Sequence, residues 1–95
     1  MSTEKILGVM HDCVKVFHPD LTLEDMTTSR VADILETSID VVEFMIELEE
    51  NLDLEPEELD MQKLVPKFEA YDFAQLADEI DQYIQNRNEN SERSE

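Results

Sequence analysis

A single glycine, Gly8, stands in this chain of 95 residues. Glycine-rich loops that wrap phosphates with backbone N–H groups are therefore excluded. So is a calcium loop of the EF-hand kind, which needs glycine at its sixth position, so the abundant acids spell no such site and no metal ligation is expected. Cys13 is the only cysteine. No disulfide can close within the chain, which excludes a disulfide-held secreted scaffold and fits a reducing, cytoplasmic setting. Cations are scarce: 7 lysines and arginines face 25 acids, a formal charge of −18. So negative a surface repels nucleic acid and anionic membrane alike, and its natural complement is a basic protein surface. Long apolar runs are missing too, because Lys5, His11, Asp12 and Lys15 interrupt the first amphipathic stretch. Neither a signal peptide nor a stable membrane attachment is expected.

What the chain does hold is 41% apolar residues, enough for the modest core of one small domain, which buries about 60 to 65% of its unfolded surface. Residues 3 to about 17 carry Ile6, Leu7, Met10, Cys13, Val14 and Phe17 at helical steps. His18, Pro19 and Asp20 end that helix, since the residue before proline avoids helical geometry. The stretch "DLTLEDMTTSRVADILE" has no sustained period and reads as a long loop with a short turn at Val31 to Leu35. A second helix is expected from Ser38 to Leu52, a short third one starting at Pro56, an interruption at Pro66, and a last helix from Tyr71 to Asn86 with Phe73, Leu76, Ala77, Ile80 and Ile84 on one face. Residues 87–95, "RNENSERSE", contain no apolar side chain and read as a disordered polar tail. With no strand-period segment, the fold class is all-α: a small bundle of four helices over residues 1–86.

The second helix divides its apolar residues between two faces. Val41, Phe44, Met45, Leu48 and Leu52 make one broad stripe suited to a core, while Ile39, Val42 and Ile46 fall on another line among Asp40, Glu43, Glu47 and Glu50. That second line either widens the core contact or stays exposed as a patch rimmed by acids. Thr37 is a good N-cap, which puts Ser38 at the first helical position with a hydroxyl that capping does not need. Serine near a helix start is ordinary. A phosphodiester on Ser38 would nevertheless lie at the positive end of the helix dipole, where an anion gains about 0.3 to 1 kcal/mol.

The segment "SIDVVEFMIELEENLDLE", residues 38–55, resembles the signature of acyl carrier proteins, in which a serine starts an acidic helix and is followed by leucine or isoleucine and then aspartate. The resemblance implies a four-helix bundle of the acyl-carrier type, with a long loop between helices 1 and 2 and a short helix 3. It implies 4′-phosphopantetheine on Ser38 and a partner face of Ile39, Asp40, Val42, Glu43, Ile46 and Glu49, with the second apolar line exposed. The partners it implies are a phosphopantetheinyl transferase and acyl-handling enzymes of fatty-acid, lipid or polyketide type that carry basic docking patches. The protein itself would be a monomer that catalyses nothing. Two departures stand out: Thr37 occupies the place of the family's aspartate before the serine, and "ILET" lacks the glycine usual there. The segment from Met61 to Asp72 is longer than the family minimum and leaves room for an aminoacyl carrier of D-alanyl type. An unmodified acidic adaptor of the same fold is the other alternative.

Remaining residues are expected to be structural. His11 and His18 lack the i,i+4 spacing of a helical metal pair and read as surface or loop residues, and Cys13 falls on the apolar stripe of the first helix. The carboxylates form no isolated pair suited to acid–base catalysis. Ser29 in "TTSRV" is the nearest rival to Ser38 as a modified hydroxyl.

Overall fold

A computed structural model describes the backbone of residues 2–93 and the side chains of residues 2–87. Helix α1 (Thr3–Val14) starts at Ser2, whose Oγ accepts from Lys5 N at 3.3 Å. Its apolar stripe is buried as expected: Ile6, Met10, Cys13 and Val14 lie in the core, with Leu7 and Phe17 packed at its margin. The helix ends earlier than its spacing suggests. Phe17 N and His18 N both donate to Val14 O at 2.9 Å, so the chain turns away before the proline.

The stretch expected as a long loop holds two short helices. Thr22 Oγ1 accepts from Asp25 N at 3.1 Å and starts α2 (Leu23–Thr28); α3 (Val31–Ile34) forms where a turn is expected. Only Met26 of α2 is fully buried, so six residues with one anchor leave no stripe to detect. Helix α4 (Ser38–Asn51) is capped by Thr37, whose Oγ1 accepts from Asp40 N at 3.1 Å. Phe44, Met45, Leu48 and Leu52 are buried, and Val41 packs at the core margin. Its far end is firmly set: Asp53 takes a left-handed φ of 58°, Leu54 N reaches Glu49 O at 2.8 Å, and Asp53 N reaches Glu50 O at 3.2 Å. Those paired bonds are a Schellman cap, with aspartate where glycine is commoner.

No helix starts at Pro56. Glu57 adopts φ 65°, residues 53–60 are turns and extended chain, and the helix appears later as α5 (Met61–Leu64), capped by Asp60, whose Oδ1 accepts from Gln62 N at 3.0 Å. Pro66 does not interrupt it but sits in the first turn of a 3₁₀ turn (Val65–Lys67) that continues α5, where a missing N–H removes no bond. Helix α6 (Phe73–Arg93) begins with a capping box: Gln75 N donates to Asp72 Oδ1 at 2.8 Å and Asp72 N to Gln75 Oε1 at 3.0 Å. Its backbone continues past the expected end at Asn86. Of the tail expected at 87–95, Ser94 and Glu95 lie outside the described residues.

α1 packs against both α4 and α6, and α2 lies against α1 and α6. The Phe44 and Phe73 rings meet edge to face at 6.0 Å, tying α4 to α6 through the core. An isolated bridge between Arg30 and Asp72 fastens the start of α3 to the start of α6, with Val31 N donating to Tyr71 O at 3.0 Å and Phe73 N to Ser29 O at 3.2 Å. The described residues thus form a small all-helical bundle whose regular part is three longer helices, α1, α4 and α6, with α2, α3 and α5 filling the connections. No helix among them is long and apolar enough to cross a membrane.

Candidate functional site

Ser38 is exposed at the first position of α4. Thr37 supplies the cap, so the Ser38 hydroxyl is not spent on it. The first intrahelical bond is Val41 N to Thr37 O at 3.1 Å, and Asp40 N is taken by the cap. The N–H groups of Ser38 and Ile39 precede that ladder and point out of the helix start, as the first donors of any helix do. Ser29, the rival hydroxyl, donates to Asp25 O at 2.6 Å and closes α2.

Beside Ser38 opens a cleft of about 570 Å³ between α3, α4 and the α5 segment, walled by Leu35, Val41, Val42, Met61, Val65 and Phe68. Two histidines brace the connections around α1. His11 Nε2 lies 2.7 Å from Leu21 O and His18 Nε2 lies 2.9 Å from Ile34 O. A carbonyl can only accept, so each Nε2 carries the proton and donates. Both rings are half-buried: His11 pins the α1–α2 connection back onto α1, and His18, just past the end of α1, pins the last residue of α3. Residue spacing gives no sign of either bond, because both partners are backbone carbonyls. Among the described residues no group of three or more metal-ligating side chains gathers.

The face implied by the resemblance divides. Ile39, Val42 and Ile46 are 70%, 43% and 50% exposed, which settles the second apolar line of α4 as surface and leaves the core to the first. Glu43 is exposed beside them and Asp40 half-buried. Glu49 does not belong to this face: it is 6% exposed, and its carboxylate turns inward to accept from Leu59 N at 3.0 Å and Glu57 N at 3.2 Å. The reason is the 53–60 segment, which carries backbone donors with no helix to bond to and folds over α4 to reach an acceptor. Helical projection alone gives no warning of this, since at about 100° per residue Glu49 lies about 20° from the exposed Val42 and about 40° from the buried Met45.

The same segment is held from the other side by α6. Glu58 Oε1 accepts from Glu55 N at 2.9 Å, while its Oε2 takes the Tyr83 hydroxyl at 2.9 Å and pairs with Arg87 Nε at 2.8 Å. The Glu55 amide, Tyr83 and Arg87 together hold the Glu58 carboxyl below the usual glutamate range. Tyr83 is pushed up, chiefly by desolvation and then by the Glu58 carboxylate. Lys67 pairs with Glu79. Neither ion pair found among the described residues uses an acid of α4. Cys13 is buried, and that desolvation raises its thiol pKa, so it is an inert core residue.

In comparisons with known proteins, no family model, curated protein or solved structure matches this chain.

Proposed function

We propose that the chain is a covalent carrier that holds acyl groups on a 4′-phosphopantetheine arm at Ser38 and presents them to acyl-handling enzymes. One observation carries this reading: an uncommitted serine hydroxyl at the start of a well-capped helix, at the mouth of an apolar cleft. The local chemistry fits a phosphodiester. Ser38 Oγ is exposed, the Ser38 and Ile39 amides face outward beside it, and the positive end of the α4 dipole favours an anion there by about 0.3 to 1 kcal/mol. The arm supplies a terminal thiol on which an acyl group is held as a thioester. The chain's own part is to position that arm and shield its cargo. Leu35, Val41, Met61, Val65 and Phe68 offer an acyl chain apolar walls at about 25 cal/mol per Å² of surface withdrawn from water. Asp40 and Glu43, with Ile39, Val42 and Ile46, form the face on which a transferase with a basic patch lands.

The test is intact-mass measurement after incubation with coenzyme A and a phosphopantetheinyl transferase. Wild type gains the mass of one arm and Ser38→Ala gains none. Modification retained in Ser38→Ala would overturn the assignment of Ser38. A wild-type chain left unmodified by transferases of broad and narrow specificity would favour the acidic adaptor, the reading to which Thr37 in place of the family's aspartate points.

A further inference from the structure

Exposed apolar residues are not confined to α4. Val16, just past the end of α1, is 73% exposed, more than any other large apolar side chain described. It stands across a groove of about 150 Å³ from Ile46. Cys13 and Phe17 floor that groove, and Glu43 and Glu47 rim it. Asn51 steadies the floor, its Nδ2 lying 3.7 Å from Cys13 Sγ. The two sides are held together where α1 and α4 pack directly and Cys13 lies in the core, with Val16 and Phe17 in the turn that follows α1.

We propose that this α1–α4 groove is a docking site for a basic partner segment that inserts one large apolar side chain, leucine or phenylalanine, between Val16 and Ile46 and sets arginine or lysine against Glu43 and Glu47. The groove volume is about that of an engineered cavity that takes up benzene, so it fits one such side chain and not a longer apolar strip. The charge argument selects the flanks. Glu43 and Glu47 take part in neither ion pair among the described residues, and the chain's formal charge of −18 opposes an acidic partner and a second copy of itself alike. The groove shares Glu43 and Ile46 with the face assigned by resemblance, adds the end of α1 to it, and does not depend on an arm at Ser38.

The probe is a synthetic helical peptide with one phenylalanine flanked by arginines at three- and four-residue steps, titrated into the full-length ¹⁵N-labelled chain, beside a peptide with glutamates in place of the arginines. Amide shifts should centre on residues 13–17 and 43–47, and affinity should fall as salt is raised from low to about 0.15 M. Val16→Asp, at an exposed position, should leave the circular dichroism and Tm unchanged and weaken binding by about tenfold or more, while Ser38→Ala binds as wild type. Equal affinity in Val16→Asp, shifts centred on the cleft beside Ser38, or equal binding of the glutamate peptide would each overturn the proposal. Self-association of the chain alone, lost in Val16→Asp, would overturn it too by making a second copy the occupant. Failure of arm attachment at Ser38 leaves the groove untouched, so the two readings fall separately.

Discussion

Replacing Glu49 by alanine should destabilise the domain by about 2 to 3 kcal/mol, although the position sits in the middle of an acidic run and looks expendable. Its two oxygens accept from Leu59 N at 3.0 Å, in a buried setting, and from Glu57 N at 3.2 Å, in a partly buried one. Hydrogen bonds to a charged acceptor contribute about 1.5 to 3 kcal/mol each, and an amide left buried without an acceptor costs a similar amount. The Leu59 bond should count nearly in full, and the Glu57 bond less, because water can reach that amide once the segment loosens. Removing a carboxylate that is 6% exposed also lifts a desolvation cost, which trims the total. Glu57 sits at φ 65°, a conformation that needs fixed partners to persist in a residue other than glycine. Without the clamp the 53–60 turn should relax first. Urea unfolding followed by circular dichroism gives the stability directly, and thermal melts should drop by at least about 8 °C at about 4 to 8 °C per kcal/mol. Glu49→Gln, which keeps one acceptor but points an amide N–H₂ at the other backbone donor, should fall between the two. Glu43→Ala is the internal control and should stay within about 0.5 kcal/mol of wild type. A Glu49→Ala variant as stable as Glu43→Ala would refute the clamp and return Glu49 to the exposed face.

Three further outcomes follow from the same geometry. Phe44→Ala, which empties a fully buried site and breaks the contact with Phe73, should cost about 3 to 5 kcal/mol in urea unfolding, whereas Glu43→Lys should leave folding intact and slow modification of Ser38 by its transferase; the reverse pattern would mean the faces are exchanged. Glu58 has a depressed pKa when folded, so its contribution is fully present above the unfolded value of about 4.3 and is lost as pH falls through the folded value. The stability gap between wild type and Glu58→Gln should therefore be widest near pH 6 and close below about pH 4, and a gap that widens with acid would contradict it. Gly8 lies within α1 and a methyl group added there meets nothing within 4 Å, so Gly8→Ala should raise stability by about 0.5 to 1 kcal/mol, measured by the same melts.

The stripes of α1, α4 and α6 were legible because each repeats over several turns, and the residues they nominate are the core. Legibility ended where a single hydrogen bond, rather than a repeated pattern, decides the structure. Helix α2 rests on one threonine cap and one buried methionine. The misplaced third helix shows the same limit from the other side: Pro56 is a permissible first residue, but Glu49 and Glu58 capture the amides around it from α4 and from the α6 contact, and the helix waits for the Asp60 cap. The start signal is lost in part to Glu49, an acceptor on α4 that no window over residues 55–60 contains.

The candidate site follows the same division. Ser38, Thr37 and the existence of a second apolar line, Ile39, Val42 and Ile46, could be placed from the α4 period alone, because capping and facing are properties of one helix; the period left open whether that line is buried, and only the resemblance implied its exposure. Glu49 could not, since its carboxylate answers donors on another segment. Nor could Val16, which lies beyond the last turn of α1 and becomes a surface only because α4 supplies Ile46 opposite it. The consequence for the proposed partner face is physical. On α4 alone it is a flat apolar line, which by itself offers a partner little to grip; with the end of α1 beside it the face gains a floor, two walls and an acidic rim. Shape of that kind selects among basic partners that net charge would treat alike. On the proposed reading, charge on this chain would speed encounter with many basic partners, and the α1–α4 groove would decide which of them stay.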